Sequence, residues 1–261
     1  MTLDEAISQA CATVGIIPPR GRITMRKWTP CDVVGKGASG KGDVRLICDE
    51  ARATAANWTT GETATVWLNQ SWTPEQKRKY AEVRRADERK ARERALEAGR
   101  IAERIIQAAK PSQHAYLIEK GFPNELPLTI GADAVRQIAG YTDRQGQFHP
   151  ADYLVPEDGY RAIVIPARIG NRIASAQLIW ESGAKKFLAG GNMGGASHRI
   201  ASGRDTWLCE GYATGLSLRA ALKGLGRRDT VLVCFSASNI AKVAETISGR
   251  CWIAADHDAP P

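Results

Sequence analysis

The sequence predicts an α+β chain built in several parts. A small antiparallel β module comes first, then a long basic helix, then a β-hairpin region leading into an α/β parallel sheet. Three observations predict this. Short runs rich in Val, Thr and Trp, separated by turn residues, fill residues 1–72. Residues 75–110 contain no Pro and a single Gly. From Thr206 onward, apolar runs alternate with helical patterns, the mark of β-α-β units.

Composition sets the outer bounds. Of 261 residues, 43% are hydrophobic, which is globular rather than disordered usage. No stretch is apolar for long enough to span a bilayer. The opening "MTLDEAISQACATVGIIPP" is acidic before its apolar part and does not read as a signal peptide. Six cysteines lie at 11, 31, 48, 209, 234 and 251 with no CxxC pair and no His at ligand spacing, so no zinc is expected. The net charge of +8 favours an anionic partner such as nucleic acid.

The elements follow in order. Leu3 to Val14 is a short amphipathic helix. "GRITMRKW", "DVRLICD" and "TATVWL" read as strands of a small sheet. "GKGASGKGD" between them lacks the Ser or Thr that follows the lysine of a phosphate-binding loop, since Gly42 and then Asp43 come after Lys41; it reads as a hairpin loop. Trp28, Trp58 and Trp67, set among Arg and Lys, would either stack bases of single-stranded DNA or, for at least two of them, fill the sheet core.

The segment 73–110 is the helix. Thr73 is its N-cap, Pro74 its first position, and Gln76 completes a capping box. Between Glu75 and Lys110 there are twelve Lys/Arg against seven Asp/Glu, so five of the eight net charges lie here. Glu75/Lys79 and Glu88/Arg92 are expected as supporting pairs. The helix reads equally as a solvated connector or as a DNA-contacting arm.

Residues 111–203 form a β-rich part. "SQHAYLIEKGFP" is a short helix ended by Gly121. "YRAIVIPARIG", "RIASAQLIWES" and "AKKFLAGG" are three strands joined by hairpins at Gly170-Asn171 and Ser182-Gly183. "GGNMGGASHRI" is glycine-dense and reads as flexible. In 204–261, "TWLCE", "TVLVCF" and "CWIAAD" are strands, with "YATGLSLRAALKGLG" and "ASNIAKVAETISG" as intervening helices.

Functional groups in such sheets collect at the strand carboxyl ends. Glu210 ends the first of these strands, and Asp256 and Asp258 end the third. Three carboxylates on one edge repel each other unless a hard divalent cation lies between them, and magnesium suits that set. His257 would be a third ligand only if it turned to the same side.

"WLCEGYATGLSL" and "IAADHD" resemble the glutamate and D-x-D motifs of the Toprim family, found in bacterial-type primases, type IA and II topoisomerases and some nucleases. The form "CEGYATGLSL" is similar to the primases and primase-helicases of conjugative plasmids and satellite phages. "IVIPARIGNRIASAQLIWESGAKKFLAGGNMGGASHRI" and "HAYLIEKGF" resemble the segments before Toprim in those proteins, and residues 24–67 look like their N-terminal module. The likeness is specific in the Toprim half and looser in the first. It implies a primase that makes short RNA primers on single-stranded DNA with Mg2+ or Mn2+. Glu210 would be the metal-linked general base or acid, and Asp256 and Asp258 would bind the metal. Lys185, Lys186, Gly190 and Gly191 would face template or nucleotide, and Arg161, Arg168, Arg172 and Arg199 would contact phosphate. Partners would be the template, ribonucleotides and a helicase domain or protein encoded downstream, in the cytoplasm of a bacterial host. A full Toprim domain continues past D-x-D with another helix and strand, so the resemblance implies a parallel sheet incomplete at its C-terminal end: either a fragment of a longer primase or a natural short protein with an incomplete site. Two rivals remain: a non-catalytic single-strand-binding module with Toprim as scaffold, and a Toprim nuclease.

Overall fold

The structure is a computed structural model that describes residues 1–34, 44–58, 60–68 and 73–255. The expected loop 35–43, the tryptophan at 72 and the motif residues Asp256, His257 and Asp258 lie outside the described residues. The fold is mixed α/β, with six α-helices among the described residues. It divides into two compact units, Met1–Glu82 and Val83–Pro261.

In the first unit, helix α1 (Leu3–Thr13) starts at a reciprocal cap. Thr2 Oγ1 accepts the Glu5 N–H, and the Glu5 carboxylate accepts the Thr2 N–H. Three two-residue strands follow, β1 (Ile16–Ile17), β2 (Thr29–Pro30) and β3 (Asp32–Val33), then β4 (Val44–Cys48), β5 (Arg52–Asn57) and β6 (Glu62–Trp67). β1 pairs with β3, and the antiparallel sheet runs β2-β4-β5-β6. Ala6, Ile7, Ala10 and Cys11 of α1 pack on Val44, Leu46 and Cys48 of β4 and on Ala53 and Ala55 of β5.

Two expectations differ here. "GRITMRKW" forms no strand. Arg26 adopts a left-handed φ of 62° and its N–H donates to the Cys48 carbonyl at 2.8 Å, so the chain turns there and pairing begins only at Thr29. Conversely, "RATAAN" forms the central strand β5 although alanine is a poor strand former. Its small residues let α1 lie close to the sheet, and packing outweighs propensity.

Helix α2 (Pro74–Ala108) has the expected N-terminus: Thr73 Oγ1 accepts the Gln76 N–H and the Gln76 side chain accepts the Thr73 N–H. At ~1.5 Å per residue it is about 50 Å long. Its ion pairs are not those expected. Glu88 pairs with Arg84 rather than Arg92, at 2.7 Å, and Glu82 pairs with Arg78. Only its last turns are buried, through Ala98, Gly99, Ala102 and Ile105.

In the second unit the chain continues through β7 (Lys110–Pro111), α3 (Ala115–Glu119), β8 (Leu128–Gly131), α4 (Ala132–Ala139) and the hairpin β9 (Tyr141–Thr142) to β10 (Phe148–His149). The three expected strands are β11 (Arg161–Ile169), β12 (Arg172–Trp180) and β13 (Lys185–Phe187). Both hairpin turns stand where expected, with Gly170 and Gly183 at positive φ. The antiparallel sheet runs β13-β12-β11-β8-β7. Strand alternation splits its two faces. Val164, Leu178 and Trp180 pack against Ala98, Ala102 and Ile105 of α2 and Val135 of α4. Ile163, Ile165 and Ile179 face the other way, onto α3 and the elements that follow.

Those are β14 (His198–Ala201), β15 (Thr206–Cys209), α5 (Tyr212–Gly224), β16 (Thr230–Val233), α6 (Ala237–Ala244) and β17 (Cys251–Ala254). The expected alternation is present: β15 pairs in parallel with both β16 and β17, while β14 adds antiparallel to β16, giving the order β14-β16-β15-β17. The first crossover steps one way across this sheet and the second steps back. One handedness then requires the helices on opposite faces. α5 packs on the face shared with Ile163 and Ile165, and α6 covers the other with Ile240 and Val243. β17 is less enclosed than its apolar sequence suggests, since Trp252 and Ile253 are 42% and 56% exposed.

Candidate functional site

Glu210 is the residue after the central strand β15, half-buried at its carboxyl end. The chain leaves β15 toward α5 on one face and leaves β16 toward α6 on the other. Adjacent strands whose exits diverge in this way open a crevice at their carboxyl ends. Among the described residues the Glu210 carboxylate has no hydrogen-bond or ion-pair partner, and its backbone is fixed instead. The N–H of Phe235 donates to the Glu210 carbonyl at 2.9 Å, and that of Cys234 to the Cys209 carbonyl at 2.8 Å.

Glycine keeps α5 close beneath this edge. A Cβ on Gly215 would come within 2.6 Å of Ile200 Cδ1 and 3.0 Å of Val233 Cγ2. This explains the glycine inside "YATGLSL", which helix propensity disfavours. On the other side of the crevice, Ser236 caps α6 by accepting the Asn239 N–H. Buried Asn239 donates to the carbonyls of Ala196 and Cys234, both at 2.8 Å, and accepts the Gly195 N–H at 2.7 Å. The glycine-dense stretch read as flexible is thereby tied to the end of β16. Lys242, one turn further along α6, lies beside Gly194.

The basic residues singled out from the sequence do not form one patch. Arg161 opens β11; its N–H donates to the Glu181 carboxylate at 2.7 Å and its carbonyl is bonded by the His114 ring at 2.9 Å. Lys185 pairs with Ile179, which pairs with Ile163, so Lys185 and Lys186 lie toward the same end of the sheet as Arg161. Arg168 is seven residues from Arg161 along β11, roughly 23 Å at strand rise. There its backbone pairs with Ser197 through two hydrogen bonds. Arg172 starts β12 near the same hairpin tip. Arg199 is exposed on β14, in the other sheet.

One grouping does form. Arg172, Gly190 and Gly191 line a groove of about 630 Å³ whose opposite wall is α2, with Arg92 and Arg100 among its residues and Glu103 the one acid. A Cβ on Gly190 would sit 3.2 Å from Arg94 Cβ, and one on Gly191 would collide with the buried Ser175 hydroxyl. The turn therefore needs both glycines. Arg92, Arg100, Asn239 and Lys242 were not singled out from the sequence. Nothing in a long run of alternating charges says which arginines face a groove. The Ser-x-x-Asn cap at 236–239 is a helix signal and does not announce a clamp.

Burial pushes His198 down to about pKa 4, helped by the nearby Arg168 charge and opposed by its hydrogen bond to the Pro166 carbonyl. It is a neutral structural histidine at neutral pH. The reading of at least two of Trp28, Trp58 and Trp67 as sheet core is corrected: the three are 41%, 50% and 51% exposed. Among the described residues no group of three or more His, Cys, Asp or Glu is arranged to hold a metal ion; Asp256 and Asp258 lie outside them.

No protein-family model matches the chain, and no solved structure matches it. No helix among the described residues is long and apolar enough to cross a membrane.

Proposed function

We propose that the chain is the Toprim-type catalytic region of a plasmid or phage DNA primase, joining ribonucleotides into a short primer on single-stranded DNA. The observation that carries this reading is the position of Glu210. It ends the central parallel strand, at the crevice where two crossovers diverge, with β17 paired beside β15 so that Ala254 is level with Cys209. In sequence, Asp256 and Asp258 follow two and four residues after Ala254.

The donor set is all carboxylate, hard oxygen that fits Mg2+ or Mn2+ rather than zinc. Glu210, half-buried and without a side-chain partner among the described residues, is its described member. Held by Asp256, Asp258 and Glu210, such an ion would neutralise charge on the reacting phosphate. Glu210 accepts the proton of the attacking 3′-hydroxyl. The new bond forms from that oxygen to the α-phosphorus, and the bond to the departing pyrophosphate breaks. Lys185 and Lys186 on β13 and the cations of the groove hold phosphates without reading bases.

The groove also favours a second reading, a single-strand-binding module without catalysis, because arginines on two walls bind a phosphate backbone whether or not Glu210 acts. A nuclease would use the same carboxylates. Incubating the protein with single-stranded template, ribonucleotides and magnesium separates the three. Primase activity yields short ribonucleotide products of defined length. Binding without products supports the module, and shortened template supports the nuclease.

A further inference from the structure

The exposed tryptophans belong to the outer face of the first unit's sheet. Val44, Leu46 and Cys48, Ala53 and Ala55, and Ala64 and Val66 point into the core under α1. Strand alternation then puts Arg45 and Ile47, Arg52, Thr54 and Ala56, and Thr63, Thr65 and Trp67 on the opposite face. Trp58 follows β5 directly and Trp28 precedes β2, their rings 6.2 Å apart and tilted by 57°. The Arg45 guanidinium lies over Trp58 at 5.1 Å, and that of Arg52 over Trp67 at 5.2 Å. Arg45 has no carboxylate partner among the described residues, and its Nε has no hydrogen-bond partner there.

We infer that this face is a second binding site for single-stranded nucleic acid, separate from the Glu210 crevice. Exposed apolar surface gathered in one place marks an interaction site, and Trp28 and Trp58 gather theirs side by side. Among the described residues the face is poor in aliphatic side chains, Ile47 being the one large one on its strands, where a protein-docking face is built around a larger apolar centre. Instead it offers indole surface for bases and the Arg45 guanidinium for phosphate, with Arg52 beside Trp67 also held by Asp49 at 3.5 Å; between them exposed Thr65 bonds the buried Thr54 hydroxyl at 3.0 Å. A single strand presents both its bases and its phosphates, and stacking of bases on aromatic rings is the usual basis of its recognition. A duplex hides its base faces and gains little here. The site does not rest on the catalytic reading, since none of its residues belongs to the second unit.

The test is fluorescence anisotropy of the full chain with a labelled deoxythymidine single strand, about 20 nucleotides long. Trp58→Ala and Trp67→Ala are each expected to weaken binding roughly five- to a hundredfold, while Trp58→Phe, which keeps a ring, retains most of it. Trp58→Leu keeps apolar bulk but has no ring, and is expected to bind as weakly as the alanine variant. Because these rings are exposed, the variants should melt as the parent does. Leucine binding as well as tryptophan overturns the inference. So does unchanged binding in all variants, or equally tight binding of a duplex of the same length. Glu210→Gln, which tests catalysis, is expected to leave this binding intact, so the two proposals fail separately.

Discussion

Phe235 and Glu210 are joined across the ends of two parallel strands: the Phe235 N–H donates to the Glu210 carbonyl at 2.9 Å while Phe235 itself sits at φ 71°. A left-handed conformation costs an L-residue about 1–2 kcal/mol. Its ring meets that of Phe187 edge-on, with centroids 6.2 Å apart. Phe235→Ala loses the ring and keeps the backbone cost. Phe235→Gly loses the ring and relieves that cost. We expect the glycine variant to be the more stable of the two by about 1 kcal/mol in urea denaturation, the reverse of their order in an ordinary strand.

Gly99 makes a second inversion. In an exposed helix, Gly→Ala gains about 1 kcal/mol. Here a Cβ would stand 2.9 Å from the carbonyl oxygen of Ile173 in β12. Backbone cannot rotate away as a side chain can, so the helix must move off the sheet. Gly99→Ala is expected to lower stability by about 1–3 kcal/mol, in the range of an overpacked core, and a rise in melting temperature would show that the contact yields.

His198 predicts a pH dependence. Its folded pKa, about 4, lies below the unfolded value of 6.5, so the unfolded chain binds a proton that the folded chain refuses. Its contribution is fully present above pH 6.5 and is lost as pH falls toward 4, by up to about 3 kcal/mol. His198→Gln removes this component. Comparing both proteins by urea denaturation at neutral and acid pH should give a shallower decline for the variant, and parallel declines would contradict the assignment.

The groove arginines predict a pattern in salt. Arg92→Ala and Arg172→Ala should each weaken binding of a single-stranded oligonucleotide and reduce the slope of log affinity against log salt by about 0.7. Arg161→Ala, at the far end of β11, should leave that slope unchanged. Equal effects from all three would mean that the groove is not the phosphate track.

Much of the fold was legible where local chemistry agrees with packing. Thr73, Pro74 and Gln76 announce the start of α2, Gly170 and Gly183 the turns of the meander, and the apolar runs after Thr206 the β-α-β-α-β order. β5 was not legible, because alanines chosen for close approach to α1 carry no strand signal. Nor was the turn at Arg26, which depends on a bond to Cys48 22 residues further along the chain. Of the site, Glu210 was legible as the polar end of an apolar strand. The separation of Arg161 from Arg172 was not, since strand register decides it, and neither was the grouping of Arg172 with Arg92 across a groove.

Primer synthesis by Glu210→Gln tests the central claim most directly. The glutamine is isosteric and cannot accept the 3′-hydroxyl proton, so with magnesium, ribonucleotides and a single-stranded template the variant should make at least a hundredfold less primer than the parent, from the loss of about 10²–10⁴ that a general base contributes. Its melting temperature and single-strand affinity should stay unchanged. A Glu210→Gln protein that makes primer as fast as the parent would contradict the account.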